Sequence, residues 1–116
     1  MIALLVYLVL MEQARFFDDR VAPILVKRCV ACHNRELDDG GISFEDRATL
    51  VRKRANHDAA VVPGEPERSA LVRAIRRDGD VQMPPGNKLP AGDVETLIEW
   101  VRRGAPWGSK LKYGDK

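Results

Sequence analysis

Arg28-Cys29-Val30-Ala31-Cys32-His33 decides how the rest of this 116-residue chain is read. Its two cysteines are the only ones present, so a disulfide framework is excluded. A Cys-x-x-Cys pair serves as a redox dithiol, as half of a zinc site or, with His directly after it, as the attachment site of a c-type haem. At about 100° per residue, a helix would set Cys29, Cys32 and His33 on one face. Thiols so spaced suit thioethers to the two vinyl groups of one haem, and the neighbouring imidazole then reaches the iron from one side. The dithiol reading needs a βαβ setting that the chain does not supply. A zinc site would need His57, outside the usual ligand spacing, and would turn the adjacent Cys32 and His33 onto one small ion.

Upstream of the motif, Phe17, Val21, Leu25 and Cys29 recur every four residues, which predicts a helix that the cysteines close. Pro23 removes a backbone donor, so this helix either starts near Asp19 or is kinked there. Residues 1–11 are almost wholly apolar, yet a bilayer span needs about 20 residues. The stretch reads as the remnant of an export signal or anchor, although no Lys or Arg precedes it and no small-x-small cleavage site follows. The expected organisation is therefore an apolar leader over residues 1–14, one domain over residues 15–107 and a polar tail over residues 108–116.

Downstream, residues 34–42 have no period and contain Gly40-Gly41, which predicts a loop. Ser43 with Asp46 predicts a short helix reaching about Lys53. Glu65, Pro66, Glu67 and Ser69 open another, with Leu71, Val72 and Ile75 apolar, Arg76-Arg77 suiting its C-terminal dipole, and Asp78-Gly79 as its end. The last helix runs from about Ala91 to Arg103, with Val94, Leu97, Ile98, Trp100 and Val101 inward and Gly104 at its stop position. No alternating strand or internal repeat interrupts this, so the fold class is all-α. The expected core and pocket are Phe17, Val21, Leu25, Leu71, Ile75, Leu97, Trp100 and Val101.

Composition narrows the function. Hydrophobic residues at 45% and charged residues at 31% describe a globular chain, neither disordered nor a membrane bundle. The net charge of +2, with both signs spread along the sequence, offers no nucleic-acid patch. Aromatics supply only 6%, which leaves space in the core for a bulky cofactor.

An iron held by one His has a sixth position to fill. Met83 is the candidate, because Met83-Pro84-Pro85 restricts the backbone around a thioether, and His with Met is the axial pair of cytochromes c. His57 lies among Arg54, Asn56 and Asp58 and reads as a surface histidine. The site is thus Cys29, Cys32, His33 and Met83, with His33 and Met83 on the metal.

Beyond single motifs, the chain resembles the planctomycete-type cytochrome c domain, a small relative of class I cytochromes c. The matching residues include Val21-Ala22-Pro23-Ile24-Leu25, the cysteine motif, and Gly40-Gly41-Ile42-Ser43-Phe44. They continue through Val62-Pro63-Gly64-Glu65-Pro66 with Ser69 and Leu71, and Met83-Pro84-Pro85 with Leu89. Trp100-Val101 and Gly104-Ala105-Pro106-Trp107 complete them. Pro90 departs from the pattern, standing where the family usually carries a Ser or Thr cap before the last helix. The resemblance implies a cytochrome c-like fold of four to five short helices around one covalently bound haem c. It implies an electron carrier rather than an enzyme, or the electron-transfer domain of a larger oxidoreductase. It also implies redox partner proteins and a periplasmic or externally facing location. The N-terminal apolar segment, if retained, offers a route to membrane association. The alternative is a haem-based ligand-binding or catalytic module whose sixth site is exchangeable.

Overall fold

The computed structural model describes residues 2–29, 33, 42–54, 58–109 and 111. Cys32, His57 and the 34–41 part of the expected loop lie outside the described residues. Every regular element among the described residues is helical, as the periodicities predict. The fold is all-α.

The first helix, α1 (Ile2–Phe16), runs without a break into a π-helical turn (Phe17–Val21) and then α2 (Ala22–Arg28). Pro23 explains the turn: in a continuous α-helix its ring would clash with the carbonyl four residues back, and its missing N–H would orphan that carbonyl. Widening one turn relieves the conflict, and Ala22 N–H donates to Phe17 O, five residues back. The expected start near Asp19 is therefore a widened turn within a longer helix. No residue of α1 is buried, and Ile2 to Met11 present apolar side chains on all sides.

The short α3 (Arg47–Val51) begins one turn later than Ser43 suggested. Asp46 is its cap, accepting from Ala48 N–H at 2.8 Å, and the Ser43 backbone instead bonds to the Thr49 hydroxyl. A 3₁₀ turn (Pro66–Arg68) leads into α4 (Ala70–Arg76), and α5 (Ala91–Arg102) closes the fold. Gly79 does not end α4. Arg77 does, in the left-handed region at φ 60°, with Asp78 N–H returning to Arg73 O at 3.2 Å. Pro90 caps α5 without a side-chain bond, as its departure from the family pattern implies.

α5 crosses the π-helical turn and packs on α4. At that crossing Phe17, Trp100 and Trp107 form an aromatic cluster, with Phe17 4.2 Å from Trp107 and 5.9 Å from Trp100 between ring centroids. Both indole N–H groups are paired, Trp100 to Pro106 O at 2.7 Å and Trp107 to Leu111 O at 3.1 Å. All eight expected core residues are buried, and Phe44, Leu50, Val61, Leu89 and Leu111 join them. Past Trp107 the chain stays on the domain: Ser109 N–H donates to Asp18, and Leu111 is buried.

Candidate haem-binding site

The site starts where α2 ends. Cys29 is the C-terminal cap of α2, its N–H donating to Leu25 O at 2.9 Å, and its half-buried side chain packs against the core. His33 N–H donates to Cys29 O at 2.9 Å, which ties the backbone of the histidine to that of the cysteine.

Phe44 holds the histidine from the other side. Its N–H donates to His33 O at 2.7 Å, and its ring meets the imidazole edge-on at 5.6 Å between centroids. Phe44 is itself buried and kept in place by a tight local network. Ser43 N–H donates to the Thr49 hydroxyl, Thr49 returns its hydrogen to Ser43 O, and Glu45 N–H donates to the Ser43 hydroxyl. Arg47, the first residue of α3, donates to Ala105 O at 2.9 Å and Gly104 O at 3.1 Å. The segment behind His33 is thereby tied to the end of α5.

The His33 imidazole carries the informative feature. Its Nδ1 is buried and has no hydrogen-bond partner among the described residues. Leaving such a group unpaired costs about 1–3 kcal/mol, so folded proteins seldom do it without a ligand or ion to satisfy the ring. Coordination of one imidazole nitrogen to a metal fixes the other as an N–H donor and orients the ring. The residues present fit a haem: a thiol at a helix end, an imidazole whose backbone is bonded to that of the cysteine and whose Nδ1 is unpaired among the described residues, and an aromatic wall beside it.

Met83 lies apart in the chain, in the irregular segment between α4 and α5. It is half-buried, and its N–H donates to Ala74 O at 3.0 Å, which ties the segment to α4. The structure does not join Met83 to His33 by a hydrogen bond or ring contact. Arg77 grips both neighbours of Met83, donating to Pro84 O at 2.6 Å and to Gln82 Oε1 at 3.2 Å. No cluster of three or more His, Cys, Asp or Glu side chains suited to a metal ion occurs among the described residues.

Two contributors were not assigned a role from sequence. Phe44 was visible in the Gly-Gly-Ile-Ser-Phe stretch, but nothing in the pattern says that its ring faces His33. Arg77 was read as a cation suited to a helix dipole, whereas it caps α4 and clamps the Met83 segment.

Comparison with known proteins gives the family. The family model described as planctomycete cytochrome c matches residues 29–87, half of the chain, from Cys29 past Met83. A cytochrome c-551 of Allochromatium vinosum is 27% identical over 73 residues, spanning 63% of this chain and 72% of that protein. No solved structure matches the chain.

Proposed function

Because the chain belongs to the planctomycete cytochrome c family, whose members carry covalently bound haem c, we propose that it is a single-electron carrier with one haem per chain. In this reading Cys29 and Cys32 are the thioether positions, His33 is the proximal iron ligand and Met83 the distal one. When bound, the haem supplies one-electron exchange between ferrous and ferric iron. The chain's residues do the rest. Cys29 anchors from the end of a helix that is packed into the core, and Phe44 with the His33–Cys29 backbone bond restricts the imidazole. Met83 offers a thioether from a segment tied to α4. A thioether ligand and apolar surroundings both favour the ferrous state and raise the potential.

The family match over residues 29–87, a span that includes Cys29, Cys32, His33 and Met83, is the observation that carries this reading. Its test is retention of haem. Protein matured in a host with a cytochrome c assembly system should keep the added mass of haem through denaturation, and Cys29→Ala should keep a single thioether with a shifted spectrum. Haem that extracts into acidified organic solvent from the wild-type protein would rule the reading out.

Attachment of this kind takes place outside the cytoplasm, so the proposal includes a periplasmic or externally facing location and redox partner proteins. No helix among the described residues is long and apolar enough to cross a membrane. At 15 residues α1 is about 22 Å long, against a hydrocarbon core of about 30 Å. We assign its exposed apolar surface to export or to contact with a membrane surface. Fractionation of the native host tests this, and mature holo-protein confined to the cytosol would overturn it.

A further inference from the structure

Arg77 holds a backbone conformation that side chains rarely adopt. At φ 60° and ψ 38° it occupies the position after α4 where glycine is usual. A residue other than Gly is strained there, and the Arg77 side chain makes contacts that offset the strain. It does so on the segment that carries Met83. One terminal nitrogen donates to Pro84 O at 2.6 Å and the other to Gln82 Oε1 at 3.2 Å. The Gln82 amide in turn donates to Arg77 O and Gly79 O, each at 3.4 Å. Residues 82 and 84 are thus fastened to the same guanidinium, and Met83 between them is fixed at its own N–H by Ala74 O. Arg77 Nε is buried with no partner among the described residues, so the side chain keeps this place although one of its own donors goes unsatisfied there.

We infer that Arg77 is a positioning residue for Met83, setting how firmly its thioether is presented to the iron. The inference rests on Met83 as distal ligand. The clamp holds one residue on either side of the ligand, and a charge-assisted hydrogen bond to a carbonyl is stronger than a neutral one. Loss of the clamp enlarges the range of positions open to the sulfur and lowers the population that can ligate.

Arg77→Gly separates this role from simple capping, because glycine suits the left-handed position and removes only the guanidinium. The measurement is imidazole binding to the ferric holo-protein, followed by loss of the sulfur-to-iron charge-transfer band. Arg77→Gly is expected to bind imidazole about tenfold more tightly than wild type, the factor that corresponds to one charge-assisted hydrogen bond. Arg77→Lys, which keeps the charge but not the fork, should fall between them. Wild-type imidazole affinity in Arg77→Gly overturns the inference, and if that variant does not mature, wild-type affinity in Arg77→Lys does so. Met83→Ala is run alongside. If it retains the band, the ligand assignment itself fails; if it loses the band while Arg77→Gly behaves as wild type, only the role of Arg77 is lost.

Discussion

His33 and Phe44 show how much of the site is settled by a few contacts. The motif spacing made it legible that Cys29 and His33 lie close together, and a backbone bond joins them. What packs on the imidazole was not legible, because Phe44 lies eleven positions further along the sequence and no local pattern encodes the meeting. The same holds for Asp46. Ser43 and Asp46 are both good caps, but the Ser43 hydroxyl accepts from Glu45 N–H, ahead of the helix, and Asp46 accepts from Ala48 N–H within it. Asp46→Ala should therefore lower stability by about 1 kcal/mol, while leaving haem attachment intact; chemical denaturation monitored by circular dichroism reads it. At the far face, hydrogen bonds from Arg103 and then Arg102 hold the exposed Glu99 carboxyl below the usual carboxylate range. A carboxylate with a lowered folded pKa adds stability above its unfolded pKa and loses it as pH falls through the folded one. Glu99→Gln should thus be less stable than wild type near neutral pH and match it in strong acid. A gap of the same size at both pH values would exclude this origin.

Among the elements, the helical periodicities were the readable part. Phe17, Val21 and Leu25 stay on one buried stripe although a π-helical turn lies between α1 and α2. The sequence showed that Pro23 had to disturb the helix, but not that the chain would widen a turn instead of stopping. That choice depends on α5, which packs against the turn. The end of α4 was misplaced for a related reason: glycine is the usual left-handed residue, and the contacts that let Arg77 take that place come from residues 82 and 84. The Phe17–Trp100–Trp107 cluster is the packing centre, so Phe17→Ala should cost about 3–5 kcal/mol, as expected for an aromatic removed from a close-packed core. An exposed truncation, Leu8→Ala on α1, should cost almost nothing, because no residue of α1 is buried. Equal thermal shifts for the two variants would contradict this placement of the core.

For the molecule as a whole, the helices form a small scaffold whose two halves meet through α5. Arg47 ties the His33 side to the turn after α5, while Arg77 and Ala74 hold the Met83 side to α4, which packs on α5. A domain of this size buries limited apolar surface, and a ligand that binds only the folded state adds directly to its stability. The apo chain, made without haem attachment, should therefore be poorly ordered by circular dichroism; a cooperative melt comparable with that of the holo-protein would argue against haem as part of the core. Family and fold class were legible because motif order and helical period are written in consecutive residues. Joining His33 to Met83 through one cofactor is a relation across fifty positions of chain, and only spectroscopy on the holo-protein reaches it. The deciding measurement is the ferric absorption spectrum of wild type, Met83→Ala and His57→Ala. A weak near-infrared sulfur-to-iron charge-transfer band should be present in wild type and in His57→Ala. It should be absent in Met83→Ala, which should also bind carbon monoxide in the ferrous state with haem attachment unchanged. A wild-type protein without that band, or its loss in His57→Ala alone, would contradict the His33/Met83 electron carrier and favour a haem module with an exchangeable sixth site.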